Sequence, residues 1–322
     1  MSEIREKLKN KIIGMLIGGY LGDALGAPYE FARSHPLREY TGNLDHIVLL
    51  PRGYGLTTLE FPVGIFTDDS QMDIYLTRSI VENNEYNKDK TIQKYMDFAN
   101  QADFLGRNTR SLLKIKTMRG YQNRVAKHMN ADNESNGPLM RVAPLVVFKD
   151  YNIWMIDSSI TNISQTNYVA NIIFVQCLRY AIEGKTKQEI IDLAEYLANY
   201  YGIDTLITAI YQAKNNIRRN VNEKIPGAKR SNKGWVVHGI YSSLWSLYNF
   251  NNYKDGVDQV VLLGGDTDTN AKIAGNLLGA FYRYEHIYQL ESNNISILFN
   301  ANNRYLYDFN DNVERLVNIY QL

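Results

Sequence analysis

Glycine recurs at every fourth position through Gly14, Gly18, Gly22 and Gly26, and Ala271, Gly275 and Gly279 repeat the spacing far downstream. Positions four apart share one face of an α-helix, so each stretch presents a smooth ridge. Glycine inside a helix costs up to about 1 kcal/mol relative to alanine, and close backbone packing is what offsets that cost. The spacing therefore predicts two central helices, each pressed closely against a neighbour. A membrane dimerisation face can also carry such a ridge, but neither stretch could span a bilayer, and Asp23 interrupts the first one.

The rest of the chain repeats the helical period. "KIIGMLIGGYLGDALG", "SQMDIYLTRSIVEN", "KTIQKYMDFANQ", "TRSLLKIKTMRGYQ", "LMRVAPLVVF", "YVANIIFVQCLRYAIEG", "KQEIIDLAEYLANYYG", "DTLITAIYQAKNNI", "WVVHGIYSSLWSLYNF" and "NAKIAGNLLGAFYRY" place apolar residues three and four apart. Gly184 ends one helix before Thr186 caps the next, and Gly202 does the same before Asp204. Alternating strand patterns are nearly absent. The expected fold is all-α, a compact orthogonal multi-helix bundle, with residues 1–322 as one domain because no Pro-rich or Gly/Ser-rich linker divides them.

Composition narrows the partners. With 45% hydrophobic residues the chain can bury a sizeable core, and a net charge of +1 provides no overall basic field for nucleic acid. Cys177 is the sole cysteine and lies in an apolar run, which excludes a disulfide framework and a thiolate metal site. The N-terminal stretch imitates a secretory signal, but Glu3 and Glu6 make its lead mixed rather than basic. A cytoplasmic protein, monomeric and without membrane association, is expected. The segment from 213 to 235 carries seven Lys or Arg against one Glu and reads as a solvated loop, with an anionic partner as the sharper alternative. The five histidines show no ligand spacing, and the tyrosines read mostly as core and surface-seam residues.

Chemistry concentrates at two helix starts. In "GGDTDTNAK", Asp266 and Asp268 lie two residues apart on a glycine lead-in, and an extended segment directs such residues the same way. Thr269 adds a hydroxyl, and a helix start tolerates anions. Oxygen-only ligation selects hard cations. A helix–loop–helix calcium loop is excluded because the required glycine and terminal Glu are missing. "FTDDSQM" repeats the idea with Thr67, Asp68 and Asp69. Each motif alone reads equally well as a helix cap. Together they supply four carboxylates, whose convergence without cations would raise their pKa values or destabilise the fold. A site for two divalent cations accounts for both motifs with one assumption.

"GGYLGDALGAPYEF", "FTDDSQM", "SNGPLMRVAPL" and "GGDTDTNAKIAGNLLGAFY", in this order, resemble the ADP-ribosylglycohydrolases, the group of dinitrogenase-reductase-activating and ADP-ribosyl-acceptor hydrolases. The matches run from about residue 12 to about 284, and the last motif is long and specific. The resemblance implies an all-α fold with a central cleft holding two Mg²⁺ or Mn²⁺ ions. It places Thr67, Asp68 and Asp268 on one ion and Asp266, Asp268 and Thr269 on the other, with Asp69 completing the first cluster and Asp268 bridging. Glu30, in "APYEF", falls on the family's acidic residue beside the attacking water, and Asp69 joins it in the catalytic set. The implied reaction is hydrolysis of the bond between ADP-ribose and a modified protein side chain or a related conjugate. Catalytically silent relatives, lens crystallins among them, define the alternative of an ADP-ribose binder or structural protein. A metal hydrolase for another glycoside or nucleotide is a third reading.

The diphosphate of such a substrate needs donors. "NESNGPLMR" sets Ser135, Asn136 and Gly137 ahead of a helix, a source of backbone N–H groups for an anion. "FLGRNTRSLL" does the same with Gly106, Arg107, Asn108 and Thr109, and resembles the family's second substrate loop. As isolated stretches both read as turns and caps. Arg110 and Arg141 are basic neighbours without an assigned role, and Asp23 fits either buried anchoring or substrate contact. The chain departs from the family pattern in three places. Asn162 stands where many relatives carry His, and Ser70 where Thr is common. Enzymes acting on ADP-ribosyl-arginine often carry an acid two residues before the loop glycine; here that position is Phe104, with Asp103 one earlier.

Overall fold

The computed structural model describes residues 2–31, 37–48, 62–102, 105–223 and 234–321. Helices run in the order α1 (Ser2–Gly26), α2 (Asp68–Asn83), α3 (Lys88–Gln101), α4 (Arg107–Leu113), α5 (Met118–His128) and α6 (Gly137–Arg141). They continue with α7 (Tyr151–Ser158), α8 (Gln165–Ile182), α9 (Lys187–Tyr201), α10 (Asp204–Lys214) and α11 (Val236–Asn249). The last are α12 (Tyr253–Leu263), α13 (Thr267–Tyr282), α14 (Tyr284–Ala301), α15 (Asn303–Leu306) and α16 (Phe309–Ile319). Among the described residues, extended backbone pairs only at an isolated antiparallel bridge between Ser135 and Trp235. The fold is all-α. No described helix is long and apolar enough to cross a membrane.

The two glycine ridges face each other. A Cβ built on Gly14, Gly18, Gly22 or Gly26 would fall 2.5, 2.4, 2.1 or 2.4 Å from the carbonyl oxygens of Gly279, Gly275, Ala271 and Thr267 respectively. Partners descend in number on one helix as they ascend on the other, so α1 and α13 run antiparallel. Reciprocally, a Cβ on Gly275 would lie 2.1 Å from the Gly18 oxygen. Their contact is the most extensive in the molecule. Its geometry has a direct consequence for function, because the C-terminal end of α1 must meet the N-terminal end of α13. The Thr267 hydroxyl closes that end by donating to the Gly26 carbonyl at 2.7 Å.

Around this pair, buried apolar residues from α1 to α16 form one hydrophobic cluster that includes Trp154, Phe66, Phe98 and Phe174. Several local expectations need revision. "LMRVAPLVVF" is not one helix: α6 stops at Arg141, and Ala143–Val147 forms a 3₁₀ turn because Pro144 lacks an N–H for the helical ladder. "TRSLLKIKTMRGYQ" divides into α4 and α5, with the Thr117 side chain capping the second. Thr186 does cap α9, through a reciprocal box with Glu189, and Gly202 ends it at φ +67°. Asp204, by contrast, is the first residue of α10, whose cap position is Ile203. Helices α7, α12, α14, α15 and α16 escaped the periodicity reading. In the basic segment, Lys214 lies within α10 and pairs with Asp192 and Glu195. Arg219 is half-buried over Trp235 and donates to His238 Nδ1. Residues 224–233, which hold the other basic positions after 223, lie outside the described residues.

Candidate functional site

Where α1 ends, the 3₁₀ turn Ala27–Tyr29 delivers Glu30. The next residue, Phe31, donates its N–H to the Gly265 carbonyl at 2.7 Å, tying this turn to the lead-in of α13. That lead-in needs its glycines. Gly264 and Gly265 hold φ at +78° and +77°, a left-handed conformation in which a side chain is strained, and a Cβ on Gly265 would also lie 2.7 Å from the Val221 oxygen. The sharp approach sets Asp266, Asp268 and Thr269 against Glu30. Ligand oxygens of Glu30, Asp266 and Asp268 all lie within 4.8 Å of one another.

The start of α2 enters from another side. Thr67 is its N-cap, accepting from the Asp69 N–H at 3.3 Å and donating its hydroxyl to Asp69 Oδ2 at 3.0 Å. Asp23, fully buried on α1, accepts from the Thr67 N–H, the Ser70 N–H and the Ser70 hydroxyl at 3.0, 3.0 and 2.6 Å. It is therefore a buried anchor for this helix start, which decides between the two roles the sequence left open. Asp68 points its Oδ2 at the Gly106 N–H, 2.9 Å away. The Thr269 backbone N–H donates to Asp268 Oδ1 at 2.9 Å, and its side chain lowers the carboxyls of Asp69 and Asp266 against the effect of burial.

Electrostatics record the convergence. Burial, reinforced by Asp266, Asp68 and Asp23, pushes the Glu30 carboxyl up to about 8. Burial raises Asp68 to about 6, against the pull of the Gly106 N–H. Asp69 and Asp268 are driven well above the usual carboxylate range by burial and then by neighbouring acids, and Asp23 and Asp266 are raised for want of solvent. Asp69 Oδ1 is buried with no hydrogen-bond partner. An unpaired buried carboxylate oxygen beside five other acids is unfavourable for a bare protein and favourable for one that binds hard cations. The donor set fits such ions, because it consists of carboxylate and hydroxyl oxygens.

The two loops flanking the acids are tied together. Asn108 of α4 donates to the Thr161 carbonyl and to Asn162 Oδ1 at 3.0 and 3.1 Å. Asn162 Nδ2 donates in turn to the Asn133 carbonyl at 2.9 Å and the Ser135 hydroxyl at 3.0 Å. Fully buried, Asn162 uses both ends of its amide to span the gap between the loops. Asn136 donates from Nδ2 to Asp266 Oδ2 at 2.9 Å and from its backbone N–H to the Gly234 carbonyl at 3.0 Å. Thr109 is buried, Arg107 and Gly106 are exposed, and Gly137 faces open space. Arg141 is a core residue, paired with Asp157 at 3.0 Å and donating to the Gly137 carbonyl, whereas Arg110 is exposed. Asp103 and Phe104 lie outside the described residues.

Sequence reasoning missed two contributors. Gly234 sits so close to Asp266 that a Cβ would come within 2.5 Å of its Oδ2, a proximity no local pattern records. Asp73 and Lys272 form a buried ion pair just below the acids. Their spacing was visible, since each lies four residues after an acid of the two motifs.

Comparison with known proteins agrees with this geometry. The family model described as ADP-ribosylglycohydrolase matches residues 4–296. A putative ADP-ribosyl glycohydrolase of Acanthamoeba polyphaga mimivirus is 28% identical over 312 residues, covering 87% of this chain and 88% of its own. ADP-ribosylarginine hydrolase Tri1 of Pseudomonas putida is 24% identical over 294 residues, covering 86% and 72%. Among solved structures, a chain of an ADP-ribosylglycohydrolase-related protein complex superposes with a TM-score of 0.70 at 22% identity, covering 98% of this chain and all of that one, and so shares its fold. Acid-bearing helix starts meeting at the end of a glycine seam, with the family match across nearly the whole length, make this chain a member of the ADP-ribosylglycohydrolase family.

Proposed function

We propose that the protein is a dimetal-dependent hydrolase that releases ADP-ribose from a modified protein side chain. The observation that carries this reading is the meeting of Glu30, Asp266 and Asp268 with the Thr67–Asp69 start, an all-oxygen donor set whose carboxyls are raised first by burial and then by one another. Thr67, Asp68, Asp69 and Asp268 would hold one Mg²⁺ or Mn²⁺, and Asp266, Asp268 and Thr269 the other. When bound, the ions supply positive charge that orients the ribose hydroxyls and offsets charge developing as the glycosidic bond breaks.

The chain's own groups do the remaining work. Asp268 would contribute a ligand to both ion sites. Glu30 is partly buried beside the acids, where its carboxyl takes a proton from the attacking water or gives one to the departing side chain. The loops at Gly106–Thr109 and Ser135–Gly137 would seat the diphosphate, and Asn162 sets the gap between them.

The test incubates the protein with arginine-linked, serine-linked, O-acetyl and polymeric ADP-ribose in Mg²⁺ or Mn²⁺. Arginine-linked substrate comes first because the Pseudomonas putida relative is named for it. Free ADP-ribose should appear and stop with EDTA. Tight ADP-ribose binding without release from any conjugate would assign the chain to the silent binders. Better cleavage of a nucleoside panel would move it to another glycoside. Glu30→Gln should slow turnover with ADP-ribose still bound; loss of binding would assign Glu30 to docking instead.

A further inference from the structure

Below the acidic cluster, Lys272 of α13 and Asp73 of α2 form an ion pair at 2.9 Å with both side chains completely buried. The pair is fully partnered. Asp73 also accepts from the Tyr20 hydroxyl at 3.0 Å, and Lys272 donates to Asn276 Oδ1 at 3.3 Å. Lys272 further lies over the Tyr20 ring, 5.6 Å from its centroid. Asp73 follows Asp69 by one helical turn, and Lys272 follows Asp268 by the same interval, so each shares a helix face with the acid above it. Asp69 and Asp268 are themselves electrostatic neighbours. The two helices are thus linked by stacked rungs: acids facing acids at the rim, and an ion pair about 6 Å deeper.

The acid rung cannot hold itself together, because like charges repel. Helices α2 and α13 touch each other over a short stretch only. Each is otherwise held through α1, α13 by the glycine seam and α2 by Asp23 and Tyr20, so their direct register rests on few contacts. A slip of one residue turns a helix face by about 100° and shifts it by about 1.5 Å, and would carry Asp69 and Asp268 apart. An ion pair away from water is demanding of geometry, since its attraction offsets desolvation only when well aligned. We propose that the Asp73–Lys272 pair sets the rotational and axial register between α2 and α13, and so fixes the separation of the carboxylates of the two acidic motifs. Both are positioning residues. The inference rests on the dimetal reading but concerns helix geometry, not the reaction.

The experiment titrates Mn²⁺ into the full chain by calorimetry, alongside thermal melts. Wild type is compared with the double variant Asp73→Asn, Lys272→Met, which leaves no unpaired charge and keeps an acceptor for Tyr20. The double variant should melt cooperatively yet bind Mn²⁺ at least tenfold more weakly, or lose one of two ions. A folded double variant with wild-type Mn²⁺ affinity and stoichiometry would overturn the proposal. Should it not melt cooperatively, Asp73→Asn with Lys272→Gln retains a neutral hydrogen bond between the helices. Affinity between wild type and none then supports the register role, and unchanged affinity overturns it. Wild type binding no Mn²⁺ at all would instead sink the dimetal reading and this inference with it.

Discussion

At the start of α2 the backbone donors are claimed by the protein itself: Thr67 caps Asp69, and Asp23 takes the Thr67 and Ser70 N–H groups. At the start of α13 the cap residue Asp266 makes no side-chain capping bond, and its carboxylate turns to Asn136 instead. One start is held by an anchor behind it, while the other is held by the glycine seam and the Gly264–Gly265 approach. Similar motifs thus reach the site by different supports. Stability and cation binding should accordingly respond differently to changes at the two.

The largest effect is expected at Asp268→Asn. Turnover should fall by about 10³-fold or more, as several kcal/mol of charge stabilisation goes with both cations. The melting temperature of the metal-free protein should rise, because one crowded charge is gone and the amide oxygen can still accept from the Thr269 N–H. A variant that keeps turnover would break the bridging assignment. Next comes Asp23→Ala. Stranding three buried donors costs about 2–4 kcal/mol in denaturant unfolding. Relief of charge crowding offsets only part of this, since Asp23 is a secondary influence on Glu30, Asp68 and Asp69. An unchanged denaturation midpoint would mean that α2 is held by something other than its anchor.

A third outcome concerns pH. Glu30 moves from 4.5 to about 8 on folding, and Asp68 from 3.8 to about 6. Raised acids favour the folded state below their unfolded pKa, and that contribution is lost as pH climbs through the folded value. In EDTA the melting temperature should therefore fall between pH 5 and 8.5, by about 1.5 °C for each kcal/mol of linkage in a chain of this length. Saturating Mn²⁺ should flatten the decline; a flat profile in EDTA would show that the acids do not converge. The smallest effect is Thr67→Val, which removes the α2 cap and should cost about 1 kcal/mol in the metal-free protein.

Much of this architecture is legible in the sequence because it is local. The glycine ridges announce close packing, and both hydroxyl-acid motifs announce helix starts. What stays hidden is who meets whom. Nothing near Gly18 says that its partner is Gly275, and nothing near Asn162 says that it joins the loops at Asn108 and Ser135. Asp23 and Asp73 look like flaws in apolar helices until the donors that face them, on α2 and α13, are in place. Helix α7 is short and lacks a clean periodic face, so tertiary burial carries it, whereas α12 buries Tyr253, Gly256, Val257, Val260 and Val261 along one face, a period that its sequence does carry.

The interlocked backbones of α1 and α13 also act as a ruler. Adding or removing one residue between Gly14 and Gly26 would rotate everything beyond it out of its slot, so length change in this pair is forbidden except in multiples that restore the face. On the proposed function, variation in what the protein accepts falls to the loops at 105–109 and 133–137, while the ruler passes unchanged.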